Sequence, residues 1–369
     1  MIREEINEIK KQFNKDTNVI TKYAGCYVDA EKNIKFMTKD AFYSLPEEDA
    51  FKYEEIFRKT LSGAVGKSLL TLDFSIDEEG EDTPHAFLMK LRESRLDDEL
   101  ILDEFFRKVI DAYEYAENYY IILVDMMYDI PGKSSDKLAM EDASNEVYHG
   151  LLCSICPVTL SKPALSYFAN EGVIANRIRD WIVGMPMHGF LFPAFTDRTT
   201  DIHAALYFSK KNDALNESFI NEIIGVNPPM SSVMQKETFE AVLYDVLRDE
   251  LTMPVMSALS SNMLDLIAEN SQNPEPLVLT KNDMVKLISK SGVSDEAVES
   301  YEKSADADIE VLADNVVDTR KFEVKTPGIT VKTDTDSIEK LETRVIDGRK
   351  YLLVPIEDDV EVNGMPVKA

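Results

Sequence analysis

The stretch from Asn145 to Lys211 constrains the fold more than any other part of this chain. It contains three apolar runs dense enough to form buried strands, and it holds the only Trp, three of the four His and two of the three Cys. We predict strands here at Val147–Val158, Ala164–Phe168, Gly189–Phe195 and Ile202–Ser209. A helix is predicted between them, around Ala175–Val183. Because short connections favour antiparallel neighbours, these strands predict a largely antiparallel sheet.

The residues before this stretch alternate between helical and strand patterns. Apolar residues at helical spacing predict a helix over Ile2–Phe13, and Pro46 followed by three acids predicts the start of a second helix. Apolar segments predict strands at Ser68–Ile76 and Tyr119–Val124, separated by two amphipathic helices. Residues 1–212 are therefore predicted to form one α+β domain, a mixed, largely antiparallel sheet with flanking helices.

The pattern changes after residue 212. Residues 213–272 carry broad apolar faces at helical spacing, interrupted by Pro254, and predict a helical segment. The sequence NPEP at 273–276 is typical of a linker. Residues 277–369 begin with a short helical pair and become β-rich from Lys321 onward, which predicts a small β-rich C-terminal module.

The net charge of −28, from 68 acidic against 40 basic residues, restricts the class of partner. Such a surface repels phosphate backbones, so the whole chain is not expected to bind nucleic acid non-specifically. Three Cys are too few for a secreted disulfide framework, and no run approaches the roughly 18 apolar residues of a membrane helix. The first residues are rich in charge and do not resemble a secretory signal. We therefore expect a cytoplasmic protein without a membrane segment.

Two partial motifs lack the structural context that their usual function requires. The segment GAVGKS at 63–68 resembles a phosphate-binding loop, but the first glycine is misplaced and a helix precedes a strand, the reverse of the order that such a loop needs. His149, Cys153 and Cys156 are residue types that bind zinc. A buried strand would turn Cys153 and Cys156 to opposite faces, so buried free thiols are favoured over a metal site, which stays open as an alternative.

The segment Asp201-Ile202-His203 suggests a different chemistry. In a strand, Asp201 and His203 would lie on one face, as two metal ligands do in metallophosphoesterases, with Asp197 as a further ligand and Arg198 as a phosphate clamp. The other motifs of that enzyme class are absent from the sequence. The alternative is a turn, because D-R-T-T-D is rich in residues that form local hydrogen bonds.

The sequence NRIRDW gives the best candidate for a binding surface. It places Arg177, Arg179 and Trp181 within five residues, and Arg and Trp are enriched in interaction hot spots. We extend this candidate surface to the nearby His188, Asp197 and Arg198. The alternative is that Trp181 anchors a helix to the sheet while both arginines lie in water.

The chain resembles a bacterial family that is known only as a domain of unknown function. The resemblance rests on ICPVTLSKPALSYF (155–168) and the segment from NRIRDW to LYFSK (176–210), with further similar segments at 10–29, 59–75 and 350–364. It spans nearly the whole chain. It implies a cytoplasmic bacterial protein and supplies no reaction, substrate or catalytic residue.

These observations lead to a ranked set of hypotheses. The first is a non-enzymatic binding or regulatory protein that acts on a macromolecular partner, more readily protein than free nucleic acid, without a cofactor. The second is a metal-dependent phosphoesterase or nuclease that uses Asp197, Asp201 and His203 with a divalent metal. The third is an acidic mimic of nucleic acid, which we rank last because the charge is spread along the chain.

Overall fold

The computed structural model describes residues 1–17, 19–133, 139–140, 146–211, 215–304, 309–356, 360–362 and 365–367. These residues divide into two units, 1–231 and 232–369. The boundary that the sequence predicted, at residues 212–213, lies outside the described residues. Within the described part of the chain, no helix combines the length and the apolar character needed to cross a membrane.

The first unit contains α1 (Arg3–Lys11), β1 (Ile20–Val28), β2 (Ile34–Ala41), α2 (Glu47–Thr60), β3 (Leu69–Asp73), α3 (Pro84–Glu93), α4 (Glu99–Ala112), β4 (Tyr119–Ile130), β5 (Gly132–Lys133) and β6 (Ala139–Met140). It continues with β7 (Glu146–Leu160), β8 (Leu165–Phe168), β9 (Val173–Asn176), β10 (Trp181–Val183), β11 (His188–Phe192), β12 (Ala194–Thr196), β13 (Thr199–Asp201), β14 (Ala204–Ser209) and α5 (Glu217–Phe219), which runs into a π-helical turn at Ile220–Ile224.

Helix starts follow local capping chemistry. The side chain of Asp98 accepts hydrogen bonds from the backbone N–H groups of Leu100 and Ile101 and so begins α4. Thr83 caps α3 in the same way, with Pro84 in the first turn, where its missing N–H costs nothing. These caps fix where the two helices leave the loops and meet the sheet.

An eight-stranded sheet forms the centre of this unit. Its order is β2-β1-β4-β7-β11-β14-β3, with β10 paired to β7 beside β11, and its ladders are antiparallel. The α+β class and the largely antiparallel sheet predicted from the sequence are confirmed.

Helices cover both faces of the sheet. Helices α3 and α4 and the turn after α5 pack on one face, and α1 and α2 pack on the other. This explains the uninterrupted apolar run of β4, since a strand buried on both faces cannot alternate with polar residues. Successive residues of β7 also lie in different layers. Cys153 belongs to the first layer and Cys156 to the second, as the strand geometry predicted.

Three predictions in the central stretch are wrong, one about the type of element and two about strand ends. The helix expected around Ala175–Val183 is instead β9, a connection and β10, because β-branched residues fit a pleated strand and β7 offers a free edge for pairing. The strand expected to end at Phe195 breaks at Pro193, which has no N–H for a ladder. The strand expected from Ile202 begins only at Ala204, after a turn.

The second unit has its own apolar core. Its elements are α6 (Ser232–Leu247), α7 (Met253–Glu269), β15 (Val278–Leu279), α8 (Lys281–Lys290), α9 (Asp295–Lys303), β16 (Val311–Leu312) and α10 (Ala313–Val316), followed by the hairpins β17–β18 (Lys321–Thr326 and Ile329–Asp334), β19–β20 (Glu342–Ile346 and Arg349–Leu353) and β21–β22 (Val360–Val362 and Met365–Val367). Leu243, Leu259 and Ile288 lie in the centre of that core. The β-rich character from Lys321 onward agrees with the sequence pattern.

Candidate functional site

Residues 161–183, which we call the arm, follow β7 and are mostly exposed to solvent. Strands β8 and β9 pair with each other, with Leu165 opposite Asn176 and Tyr167 opposite Ile174. Strand β10 then returns to the last residues of β7, where Trp181 lies opposite Leu160. The arm therefore has a regular backbone ladder that begins where β7 leaves the core.

Backbone hydrogen bonds hold both ends of the arm. At the tip, the N–H of Gly172 donates to the carbonyl of Phe168 at 2.8 Å, and Gly172 adopts the left-handed φ of 66° that favours glycine. At the base, the N–H of Ser161 donates to the carbonyl of Asp180 at 2.9 Å, and the Nε of Arg179 donates to the carbonyl of Ser161 at 2.7 Å. The arm is an ordered hairpin rather than an irregular loop.

Several large apolar side chains of the arm are exposed. Tyr167 is 66% exposed, Ile174 70% and Trp181 55%, and no residue of the arm joins either core layer of the unit. Leu165, Tyr167 and Ile174 share one face of the hairpin, because cross-strand partners lie on the same side. An ordered apolar face in water is the kind of surface that marks an interaction site.

The arm also carries positive charge on a strongly acidic chain. It has three basic residues, Lys162, Arg177 and Arg179, and two acidic residues, Glu171 and Asp180. The net charge of the arm is therefore +1, compared with −28 for the chain. Among the residues that the structure describes, the guanidinium of Arg177 has no ion-pair or hydrogen-bond partner. Arg177, Arg179 and Trp181, the three residues that the sequence singled out first, all lie in the arm and are exposed.

The other predicted surface residues have different neighbours. His188, in β11, is half-buried, and its Nδ1 lies 2.8 Å from the hydroxyl of Tyr113. Arg198 makes a two-pronged ion pair with Glu8 of α1, at 2.7 to 3.1 Å, and this pairing raises the pKa of Arg198. The backbone N–H of Asp197 donates to Glu5 of α1 at 2.6 Å. Asp197 and Arg198 therefore fasten the β12–β13 turn to the N-terminal helix.

Asp201 and His203 do not share a strand face. Asp201 ends β13, and its carboxylate accepts the backbone N–H of His203 at 3.1 Å, which forms a local turn. The Nδ1 of His203 lies 2.7 Å from a carboxylate oxygen of Glu79, and this carboxylate raises the pKa of His203. A higher pKa favours the imidazolium form, which cannot coordinate a metal.

No group of three or more His, Cys, Asp or Glu side chains in the described ranges converges to hold a metal ion. Cys153 and Cys156 are fully buried, and burial raises the pKa of both thiols well above the usual range. Their placement in separate layers keeps the two sulfur atoms from facing one site together with His149.

A buried polar pair in the sheet was missed by the sequence analysis. Asp125 of β4 is fully buried, and its carboxylate lies 2.6 Å from the Nε2 of His149 in β7. The hydroxyl of Thr21 also donates to Asp125, and the Nε of Arg92 donates to the carbonyl of His149 at 2.7 Å. The signal was an acid in the middle of the apolar run YYIILVDMMY, since a buried carboxylate needs a partner.

Comparison with known families identifies the family of this chain. A family model described as "Domain of unknown function (DUF4317)" matches residues 1–365. The chain belongs to this family. None of the curated proteins matches it. The resemblance noted from the sequence is thereby confirmed over nearly the whole chain.

Proposed function

We propose that this member of the DUF4317 family is a non-enzymatic binding or regulatory protein of the bacterial cytoplasm, and that its arm contacts a partner protein. The observation that carries the proposal is the ordered hairpin with an apolar face and two arginines, none of it packed on the core. Such residues lower the free energy of a complex most when a partner desolvates them.

The composition of the arm supports one class of partner. The face of Leu165, Tyr167 and Ile174 fits an apolar patch, and Arg177 and Arg179 fit carboxylates beside that patch. An acidic-apolar protein surface meets both conditions. A nucleic acid is disfavoured, because its continuous line of phosphates would be repelled by the negative chain outside the arm, whereas a local cluster of carboxylates on a protein needs to meet only the arm.

Affinity purification at native abundance, followed by mass spectrometry, tests this proposal. The wild-type chain is compared with an Arg177→Glu/Arg179→Glu variant and with an Arg344→Glu/Arg349→Glu control, which reverses two exposed arginines on the β19–β20 hairpin. We expect a stoichiometric protein partner that the first variant loses by at least about tenfold and the control retains. Equal recovery with both variants would contradict a role for the arm.

The metal-dependent phosphoesterase or nuclease remains the alternative prediction. Its test is the metal content of the purified protein, compared with an Asp201→Ala/His203→Ala variant. A stoichiometric transition metal that this variant loses would support the enzyme hypothesis over the binding hypothesis.

A further inference from the structure

An open groove of about 680 Å³ lies in the first unit, away from the residues of the arm. It is formed by residues 15–17 after α1, the segment 42–45 before α2, and the first two turns of α2. Its volume falls in the range of roughly 300 to 1,000 Å³ that is common for small-molecule sites. Nothing in the proposed function uses this groove.

Aromatic rings line the groove. Phe42, Tyr43 and Phe51 all line it; Phe42 is buried and belongs to a core layer of the unit, while Tyr43 and Phe51 are 53% and 46% exposed. The side chains of Lys52 and Arg58 lie over the ring of Phe51, at 5.3 and 5.6 Å from its centroid. The ring of Phe51 therefore already has two cationic neighbours on the protein.

The charge at depth in the groove is negative. Glu54 lines the groove and is only 6% exposed, and its nearest cation is the Nη1 of Arg58 at 3.5 Å. That same nitrogen also donates to the backbone carbonyl of Phe13. Burial raises the pKa of Glu54 more than Arg58 lowers it. The carboxylate therefore lacks a short, charge-assisted hydrogen bond, which a ligand could supply.

The cations of the groove lie at its rim. Lys15 and Lys52 are exposed, and Lys52 approaches Glu55 at 3.4 Å. The exposed Glu47 and Glu48 line the same rim. Charges attract more strongly where water is excluded. The buried carboxylate of Glu54 should therefore select for a positively charged ligand more strongly than the exposed charges of the rim act on it.

We propose that this groove binds a small organic ammonium ion with an apolar body about the size of one aromatic ring. The body packs against Tyr43 and Phe51, which both line the groove, and the ammonium donates a hydrogen bond to Glu54. The exposed ring of Tyr43 favours the same sign of charge, because the faces of aromatic rings attract cations, whereas the ring of Phe51 already contacts Lys52 and Arg58.

The test uses three probes of similar shape and different charge. Ligand-observed NMR titration of the full chain with 2-phenylethylamine, 2-phenylethanol and 3-phenylpropanoate measures each affinity. We expect saturable binding of the amine, with the alcohol and the carboxylate at least about tenfold weaker. Absence of saturable amine binding, or equal binding of the carboxylate, would overturn the proposal.

Matched variants locate the site. Glu54→Gln keeps the shape and removes the charge, and we expect it to weaken amine binding about tenfold, whereas Glu55→Gln, one residue along α2, leaves it unchanged. Phe51→Ala removes an exposed wall and weakens binding even if Glu54→Gln unfolds the chain, with Tyr244→Ala as the control. Amine binding that survives both Glu54→Gln and Phe51→Ala would contradict the assignment.

Discussion

Strands β4 and β8 both form antiparallel ladders, β4 in the eight-stranded sheet and β8 in a separate pair with β9, but their side chains lie in opposite environments. Nearly every residue of β4 is buried between helices on both faces of the sheet. Along β8 and β9, by contrast, most side chains are exposed although the backbone ladder is regular. A hydrogen-bonded ladder therefore does not by itself mark a folding core, and apolar residues in such a ladder can remain available to a partner.

Charged side chains also lie in different environments in the two regions. In the sheet, Asp125 is tolerated because His149 and Thr21 satisfy its carboxylate in a fully buried place. In the arm, Arg177 and Arg179 lie in water, where neither needs a counter-ion to remain charged. Removing a charged group should thus affect stability in the sheet and binding in the arm.

The largest effect on stability is expected at the buried pair. His149→Ala removes the partner of a carboxylate that cannot reach water, and we expect the free energy of unfolding to fall by about 3 to 5 kcal/mol. Urea denaturation followed by circular dichroism measures this change.

The control for this prediction removes both members of the pair. An Asp125→Leu/His149→Leu variant leaves no uncompensated charge and should recover much of the stability lost in His149→Ala. A His149→Ala variant as stable as the wild type would show that Asp125 does not depend on His149.

A Leu→Ala substitution should lower the stability of the protein much more in β4 than in β8. Leu123 is fully buried in β4, and its truncation should cost about 2 to 5 kcal/mol. Leu165 in β8 is 70% exposed, and its truncation should change stability by less than about 0.5 kcal/mol. Comparable losses of unfolding free energy at both positions, measured in urea, would indicate that the arm is part of the core.

The three thiols provide a chemical test of the core. Cys26, Cys153 and Cys156 are buried, and burial raises the pKa of Cys26 to about 12 and also raises the pKa values of Cys153 and Cys156. We expect no thiol to react with iodoacetamide at pH 8 in the folded protein and all three to react in urea. Rapid modification of any of them in the native chain would place it outside the core.

The raised pKa values of these thiols should also make the stability of the protein depend modestly on pH. Because each folded pKa lies above the ordinary value of 9.0, the unfolded chain loses these protons first as the pH rises. The stabilisation is complete below pH 9 and is lost between that value and the folded pKa. A Cys26→Ala variant should show a smaller decrease in unfolding free energy between pH 8 and 10 than the wild type.

The smallest effect on stability is expected from the arginines of the arm. Arg177→Glu should change the unfolding free energy by less than about 0.5 kcal/mol, because the side chain is exposed and unpaired within the described residues. A decrease of more than 2 kcal/mol in urea denaturation would mean that this arginine supports the fold.

The sequence predicted the sheet better than it predicted the arm, for a physical reason. Apolar density in β4, β7 and β14 reports burial, which decides the core, and the existence of all three strands was predicted, although β4 runs on to Ile130 and β14 begins at Ala204. The segment from Ala175 to Val183 has apolar residues that no core uses, so its spacing carried no reliable period. Local patterns also could not show that Arg198 pairs with Glu8, nearly two hundred positions away.

Photo-crosslinking in the producing cell tests the central claim most directly. A benzoylphenylalanine replaces Tyr167 in the arm or, as a control of equal exposure, Tyr244 in α6; these tyrosines are 66% and 67% exposed. The account predicts one protein partner crosslinked from position 167, absent from position 244 and lost when Arg177→Glu/Arg179→Glu is added. Identical crosslinks from both positions, or none from position 167, would contradict the arm as a binding surface.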